Sequence, residues 1–389
     1  MPIPVLPKKI IRITTVPMAL RYLLAGQMKF MTEHGFDVIM ISAGGKELPD
    51  VLHNENCRHI VVGMTRKITP FRDLKCLVQL ICIFRRERPA IVHTHTPKAG
   101  LLGMLAARFS GVPVRIHTVA GLPMMVKKGF KHQLLKWTEK ITAGAATQVW
   151  PNSFSLLRYI QQHGLARQQK LRVIGKGSTN GIDTGFFNPA SIDEKVSLLI
   201  KAGIQYSAAY RYLLFIGRLV TDKGVAELVS AFCVLQQQRT GLKLILIGDF
   251  EEDLDPLPAS VRTTIATHPA IFHINWTTDV KYYMHLANYF IFPSHREGFP
   301  NVLLQAGAMG LPIICSEIAG NIDIVTDKET GLLFECLNER QIIELTEWAM
   351  DNPELMKKMA GRLQQIIQND FRRENIWQNI LEAYKSLLN

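Results

Sequence analysis

The stretch Pro293-Ser294-His295-Arg296-Glu297-Gly298-Phe299-Pro300-Asn301 directly follows a strand-like run, Tyr289–Pro293, and directly precedes an apolar helical pattern, Val302–Met309. A strand followed at once by a helix is the repeating unit of parallel α/β sheets, in which helices cover both faces. In open parallel sheets ligands bind beyond the carboxyl ends of the strands. This stretch therefore indicates both a fold class and the edge of the sheet where a site is expected.

The same alternation of strand-like runs and helical patterns extends outward over the whole chain. The first series of predicted strands comprises Lys9–Val16, Asp37–Ser42, Ala90–Thr94, Val114–Val119, Gln148–Asn152 and Leu171–Ile174. The second series comprises Tyr212–Gly217, Lys243–Gly248, Ala270–Asn275, Tyr289–Pro293 and Leu311–Cys315. Two doubly wound parallel sheets are therefore expected, which suits a chain of 389 residues.

A linker is expected where the alternation stops. Gly175–Pro189 is rich in Gly, Ser, Thr and Asn, which is typical of turns. The predicted boundaries are a first domain over 1–177, a linker over 178–195, a second domain over 196–370 and a C-terminal helix over 371–389. This helix is amphipathic and is expected to pack back on the first domain. The residues on or near its apolar face are Phe371, Ile376, Ile380, Tyr384 and Leu387–Leu388.

The positive charge is concentrated in the first half of the chain. Residues 1–185 contain 27 Lys and Arg against 9 Asp and Glu, whereas the rest contains 18 against 24. A strongly cationic domain of this kind is expected to bind an anionic partner. An anionic membrane surface or a phosphorylated acceptor is favoured over a merely solvated face. Nucleic acid is not expected, because no helix-turn-helix, zinc-finger or RNP-type sequence is present.

The cysteines and the apolar runs predict a reducing compartment and no membrane crossing. The six cysteines include no C-x-x-C pair and lie mostly within apolar runs, which favours buried reduced thiols. Residues 1–13 lack a signal-peptide core, and no stretch reaches about 18 apolar residues.

Two cations follow the opening strand of the second series. Gly217-Arg218 comes directly after that strand, and Lys223-Gly224 follows at the entrance to a helix. A helix N-terminus adds free N–H groups and a partial positive charge, so this arrangement is typical of an anion site. The alternative is an exposed pair of cations on a solvated turn.

The stretch 293–301 supplies a second group of candidates. Gly298 permits close backbone approach, and Glu297 can accept hydrogen bonds from hydroxyl groups. Gln305 lies eight residues beyond Glu297, inside an otherwise apolar helix, where a buried amide needs partners. The alternative interpretation is a capped helix entry with an exposed acid.

Two further stretches in the first half leave alternatives open. His93-Thr94-His95-Thr96-Pro97-Lys98 places two histidines on one face of a strand, but no third metal ligand is evident. A buried pair, or acceptor contact and proton handling by His95 and Lys98, are the other interpretations. The stretch 127–140 combines Lys127, Lys128, Lys131, Lys136 and Lys140 with Phe130, Leu134, Leu135 and Trp137. It is typical of a membrane-surface helix or of a plain helix packed on the sheet.

These motifs occur in an order that resembles the C-terminal domain of the family 4 glycosyltransferases. The matching blocks are Gly217-Arg218-x4-Lys223-Gly224, Asp279-Val280 with Tyr282-Tyr283 and Ala287, Pro293-Ser294-x2-Glu297-Gly298-Phe299-Pro300-Asn301-Val302, Gly310-Leu311-Pro312 and Thr330-Gly331-Leu332-Leu333. The linker motif Asn180-Gly181-Ile182-Asp183-x2-Phe186 fits the same family. The resemblance covers nearly the whole chain and is nearest to bacterial capsular and exopolysaccharide transferases that act on polyprenyl-linked intermediates.

The resemblance implies a GT-B fold, in which two Rossmann-like domains face a central cleft, the first binding the acceptor and the second the nucleotide sugar. It implies that Arg218 and Lys223 bind the donor diphosphate in place of a metal. It further implies that Glu297 contacts the donor sugar and Gln305 the ribose. The remaining donor-binding candidates are Gly217, Gly298, Phe299 and Asn301, with the amides of Gly298 and Phe299 covering phosphate or sugar oxygens. No metal and no cofactor are expected.

The chain departs from the family pattern at three points. Gln305 stands where the family usually has a second glutamate, and an amide can still bridge the ribose hydroxyls. Ala120 occupies the position of a histidine that many members place near the donor sugar, and His117, three residues earlier, is a candidate acceptor contact. Val16-Pro17-Met18-Ala19 replaces the expected Gly-Gly loop after the first strand.

The expected activity is a retaining transfer of a hexose from a nucleotide diphosphate, with UDP as the expected nucleotide. The acceptor is expected to be polyprenyl-diphosphate-linked or an oligosaccharide, in surface polysaccharide synthesis. The enzyme is then cytoplasmic and peripheral at the inner face of the cytoplasmic membrane. A nucleotide-sugar epimerase of the same architecture and a non-catalytic sugar-nucleotide-binding protein remain as alternatives. A dinucleotide dehydrogenase is disfavoured because no G-x-G-x-x-G follows either opening strand.

Overall fold

The computed structural model describes residues 7–126, 129–251 and 255–388. It has two compact units, Met1–Asn180 with Glu374–Asn389, and Gly181–Arg373. The first unit contains the strands β1 (Lys8–Ile13), β2 (Phe36–Ser42), β3 (Arg58–Val61), β4 (Ile91–Thr94), β5 (Val114–Val119) and β6 (Gln148–Pro151). The second contains β7 (Arg211–Ile216), β8 (Leu242–Ile247), β9 (Ile271–Ile274), β10 (Tyr289–Phe292), β11 (Ile313–Ser316) and β12 (Leu332–Phe334).

Helices connect the strands throughout the described residues. In chain order they are α1 (Pro17–Leu23), α2 (Gln27–Glu33), α3 (Leu48–Glu55), α4 (Pro70–Glu87), α5 (Pro97–Phe109), α6 (Gly129–Ala145), α7 (Phe154–Gln162), α8 (Glu194–Gly203), α9 (Val225–Gln238), α10 (Ala259–Thr267), α11 (Val280–Leu286), α12 (Asn301–Ala308), α13 (Glu339–Asp351), α14 (Pro353–Asp370) and α15 (Arg373–Leu388). None of these helices is long and apolar enough to cross a membrane.

Both sheets are parallel and have the same strand order. The first runs β3-β2-β1-β4-β5-β6, and the second runs β9-β8-β7-β10-β11-β12. In each unit the opening strand therefore lies beside the fourth, which is the order of a doubly wound fold with a switch point between them. The prediction of two doubly wound α/β domains is confirmed.

Strand burial explains why these runs form interior sheets. In β1 the last four side chains are buried, and in β8 every side chain except that of Lys243 is apolar and buried, as expected for parallel strands covered on both faces. Arg12 is the charged residue among the buried positions of β1, and its guanidinium bonds Tyr384 of α15 and Gln27. The helix α15 therefore lies in the first unit, where Ile376, Ile380 and Tyr384 join the core.

The structure differs from the sequence-based expectations at three strands. Leu171–Ile174 is not a strand, because only Leu171 bridges Val149 before the left-handed residues Gly175, Gly177 and Ser178 turn the chain away. The sequence missed β3 and β12, which are short edge strands with weak alternation. The C-terminal helix begins at Arg373, close to the predicted start at Phe371. That residue ends α14 and packs in the second unit's core, while its carbonyl accepts a 2.8 Å hydrogen bond from Ile182 N–H.

The cysteines are all unpaired, but fewer are buried than the apolar runs suggest. Cys76 and Cys315 are buried, Cys57, Cys233 and Cys336 are partly exposed, and Cys82 on α4 is exposed. Cys82 therefore lies on the solvent-facing side of α4.

Candidate active site

The candidate donor site lies at the carboxyl edge of the second sheet. Gly217 and Arg218 follow β7, and a short 3-10 turn, Thr221–Lys223, leads into α9. The stretch 293–301 follows β10, which is the neighbour of β7 in the sheet. The two motifs are 70 residues or more apart in sequence, but they are adjacent in space because β7 and β10 pair.

Glycines allow the loops of this edge to touch. Gly224 has a left-handed φ of 69°, and a Cβ atom there would lie 2.1 Å from the carbonyl oxygen of Pro293. Gly248, after β8, has a φ of 140°, and its Cβ would lie 2.0 Å from the carbonyl oxygen of Gly217. Backbone atoms cannot move aside as a flexible side chain can, so both positions require glycine.

Lys223 and Glu297 form an ion pair at the centre of this edge. The Lys223 ammonium donates to Glu297 Oε1, and both side chains are mostly buried. Ser294 Oγ donates to the same oxygen at 2.9 Å, and the ammonium also lies 5.7 Å from the ring centroid of Phe292. The two predicted side chains are therefore held together before any donor binds.

Arg218 has a different environment from Lys223. Its guanidinium bonds Glu251 after β8, and its side chain is 45% exposed. An exposed ion pair is worth little, because water screens the two charges. A multiply charged anion can therefore replace Glu251 as the partner of Arg218 at small cost.

A second set of charges ties the 3-10 turn to the stretch 293–301, and sequence reasoning missed it. Asp222 accepts hydrogen bonds from Arg296 Nε at 3.0 Å and Nη2 at 2.9 Å, and its backbone N–H donates to Asp255. His295 Nε2 lies 3.0 Å from Glu227 Oε1. Burial opposes ionisation of Glu227, but the hydrogen bond with His295, the hydrogen bond to the Glu227 backbone and the electrostatic interaction with His295 together lower the pKa of the carboxyl group.

Buried hydrogen bonds also fix the backbone below Glu297. Asn321 Nδ2 donates to the Ser316 carbonyl at 2.9 Å, and Ser316 Oγ donates to the Ser294 carbonyl. These three residues are fully buried. A Cβ atom at Gly320 would lie 2.7 Å from the Gly298 carbonyl oxygen. The loop after β11 therefore supports the loop after β10, a contact that no sequence motif indicated.

The other donor-site candidates divide between core and surface positions. Gly298 and Phe299 are buried, and the Phe299 ring packs 5.4 Å from that of Phe371. Asn301 begins α12, and Gln305 lies one turn further on. The Gln305 side chain is half-buried, and its amide makes no hydrogen bond with any residue that the structure describes. The oxygen and the NH2 group of this amide are therefore both available for a ligand.

The structure separates the three acceptor candidates of the first unit. His117 lies on the opposite face of the sheet from His95, because it bonds Thr94 Oγ1 at 2.8 Å and successive strand residues point to opposite faces. Burial lowers the pKa of His117 to about 4. Lys98 donates to both carboxylate oxygens of Asp73 at 2.8 Å, so it secures the start of α4.

His95 is the candidate with open hydrogen-bonding capacity. It lies beside His93 with 4.1 Å between the ring centroids, and neither of its buried ring nitrogens bonds any described residue. Burial lowers the pKa of both histidines well below the usual range. His93 uses its two nitrogens on Tyr384 and Thr118, at 2.6 and 2.7 Å. Within the described ranges, no three His, Cys, Asp or Glu side chains are grouped to hold a metal ion.

Comparisons with known proteins match a glycosyltransferase family to each of the two units. The family described as Glycosyl transferases group 1 matches residues 201–365, and the Glycosyl transferase 4-like domain matches residues 21–177. The capsular polysaccharide biosynthesis glycosyltransferase CapM of Staphylococcus aureus is 33% identical over 98% of both chains. The Escherichia coli UDP-Gal:alpha-D-GlcNAc-diphosphoundecaprenol alpha-1,3-galactosyltransferase is 27% identical over 79% of both chains.

A solved structure supports the fold. Anabaena Alr3699/HepE in complex with UDP and glucose superposes with a TM-score of 0.79 at 17% identity, covering 97% of this chain and 100% of that chain. The architecture is that of the GT-B fold, as predicted. With a relative above 30% identity over almost its whole length and both domain families matched in order, the chain belongs to the group 1, family 4-like glycosyltransferases.

Proposed function

We propose that this glycosyltransferase moves a hexose from a nucleoside diphosphate, with UDP as the expected carrier, to a polyprenyl-diphosphate-linked or saccharide acceptor in surface polysaccharide synthesis. The names of the two relatives support this proposal, since one is a capsular enzyme and the other uses a UDP-sugar and a diphosphoundecaprenol acceptor. The observation that carries the proposal is the Lys223–Glu297 pair beside Arg218 at the carboxyl edge of the second sheet.

Diphosphate binding is proposed to exchange the partners of the two cations. Arg218 turns from Glu251, and Lys223 shares its ammonium between Glu297 and a phosphate oxygen. Charge-assisted hydrogen bonds from guanidinium and ammonium groups to phosphate are strong, and the start of α9 adds a partial positive charge. Glu297 then has capacity to accept hydrogen bonds from hydroxyl groups of the donor sugar.

The proposed chemistry is transfer with retention. The bond between the anomeric carbon and the diphosphate breaks, and the acceptor oxygen forms its bond on the same face of the sugar. The departing phosphate oxygen takes the acceptor proton, so no protein base is required. Arg218 and Lys223 stabilise the charge that develops on the diphosphate, which is the largest contribution expected from the protein.

The reaction is proposed to take place at the inner face of the cytoplasmic membrane. A polyprenyl-linked acceptor is held in the bilayer, and the first 185 residues carry 27 cations against 9 acids. Such a charge imbalance favours an anionic lipid surface.

The proposal is tested by incubating the purified chain with a panel of nucleotide sugars and measuring release of the nucleoside diphosphate. We expect slow hydrolysis of one donor, because an activated sugar without an acceptor reacts with water. The K223A variant serves as the control for contaminating hydrolases. Release that is equal for all donors and unchanged in K223A would contradict the proposed donor site.

Metal independence is a separate prediction. Because two side-chain cations are proposed to stabilise the leaving diphosphate, turnover should persist in excess EDTA. The measurement compares initial rates with EDTA, with added Mg²⁺ and with added Mn²⁺. A complete loss of activity in EDTA that Mg²⁺ or Mn²⁺ restores would show that a metal, and not Arg218 and Lys223 alone, stabilises the leaving group.

A further inference from the structure

The helix α4 has an apolar stripe on its outward side. Phe71, Leu74, Val78 and Cys82 recur at helical spacing and are all exposed, with the Phe71 side chain 93% exposed. The inward side of the same helix is already occupied, because Cys76, Leu80 and Phe84 lie in the core. The outward stripe therefore does not contribute to the core of the first unit.

The helix α6 repeats this arrangement. Its exposed large apolar residues are Phe130, Leu134, Trp137 and Ile141, with Phe130 82% and Trp137 66% exposed. The inward side carries Thr142, Ala143 and Ala145. This is the basic stretch of the sequence, of which Lys127 and Lys128 lie outside the described residues.

The two stripes lie on the same side of the first sheet. The helix α5 contacts both α4 and α6, so the three helices form one layer. Ile68, directly before α4, and Phe109, at the end of α5, are exposed in the same layer. Single exposed apolar residues are normal on the surface of a monomer, whereas large exposed apolar patches mark interaction sites.

The charges around the stripes are positive. The exposed cations are Arg72, Lys75, Arg85, Arg86, Lys131 and Lys140. The acids of these helices are already engaged or turned inward. Asp73 is paired with Lys98, and hydrogen bonds from Lys9 lower the pKa of Glu87 to about 2. Burial raises the pKa of Glu139 to about 7.

We propose that the outward faces of α4 and α6 form a docking face that inserts its apolar side chains into an anionic lipid bilayer. This inference rests on the membrane location in the proposed function and assigns it to particular residues. Apolar side chains flanked by Lys and Arg, with a tryptophan among them, suit the interface between headgroups and acyl chains. A second copy of the chain is disfavoured as the occupant, because two such cationic faces repel each other.

The docking face also adjoins the edge of the sheet where a ligand is expected. The helices α4, α5 and α6 follow β3, β4 and β5, so each begins at the carboxyl edge of a parallel strand. Phe71 and Phe130 lie in the first turns of α4 and α6, and therefore at that edge. A lipid-linked acceptor can thus pass from the bilayer to the acceptor side without crossing the protein.

The test is co-sedimentation of the full chain with phosphatidylglycerol-containing vesicles and with pure phosphatidylcholine vesicles. The F71S/W137S variant should lose at least about tenfold in partitioning, because two apolar anchors are removed without a change in charge. The control is L198S/L337S, in which both leucines are 62% exposed on the second unit, and it should bind like the wild type. Binding of the wild type should weaken as salt rises through about 0.15 M, where charges are screened within about 8 Å.

Two results would overturn the docking face. One is unchanged vesicle binding by F71S/W137S. The other is a dimer in solution that F71S/W137S abolishes, which would make a second copy the occupant. Donor hydrolysis separates this inference from the enzymatic proposal, since F71S/W137S should hydrolyse the donor at the wild-type rate. If the wild type hydrolyses no donor but docks as described, the enzymatic proposal fails and the docking face stands.

Discussion

Replacement of Lys223 by alanine is expected to lower turnover by about 100- to 1,000-fold, the usual cost of removing one preorganised group that stabilises developing charge. Lys223 is held beside Glu297 and Phe292 in a mostly buried position, where its charge is screened less than at the surface. Arg218 is more exposed in the free protein, and R218A is expected to weaken diphosphate binding and turnover as well.

Calorimetry with the free nucleoside diphosphate, followed by steady-state kinetics, measures both effects. K223R is the matched variant that keeps the charge, and K243A removes a cation from β8 outside the proposed site. The melting temperature of R218A should stay near that of the wild type, because an exposed ion pair contributes little stability. Wild-type nucleotide affinity in both R218A and K223A would exclude these side chains as the anion site.

The second large effect is expected for E297Q. The substitution keeps the size of the side chain but removes its charge, and hydrogen bonds to a charged acceptor are roughly twice as strong as neutral ones. Glu297 Oε1 also loses its ionic attraction to Lys223, which then lacks its partner in the free protein. We therefore expect E297Q to lose most of its turnover.

The matched comparison is Q305E. The Gln305 amide is free of hydrogen bonds to described residues, and either an amide oxygen or a carboxylate can accept from the ribose hydroxyls. Its activity should therefore remain within about tenfold of wild type, or about 1.4 kcal/mol of barrier. Near-normal turnover in E297Q together with an inactive Q305E would reverse the roles proposed for these two residues.

The sequence by itself determined the fold class and the edge that carries the site. Alternating strand-like and helical runs predict a parallel α/β sheet, and polar residues directly after strands must then lie at its carboxyl edge. That rule was sufficient to select Arg218, Lys223 and Glu297 from the chain. The order of the motifs then indicated the family, which the comparisons confirm.

Only the tertiary structure decided which side chains meet. Arg12 bonds Tyr384 across 372 residues of sequence, and Asp222 meets Arg296 across 74. Such pairs depend on the order and register of the strands, which cannot be predicted from local sequence patterns. Register also decided that His117 bonds Thr94 and lies on the opposite face of the sheet from His95, which the resemblance that suggested His117 did not show.

The exposed stripe of α4 illustrates the remaining limit. The helix α4 has apolar residues on its outward side as well as its inward side, so the sequence alone could not show which of them face the core. The structure resolves the question because α4 can bury only the side that meets α5 and the sheet. Sequence patterns thus fix where strands, helices and polar loop residues occur, whereas the burial of each face and the pairing of distant charges follow from how the elements pack.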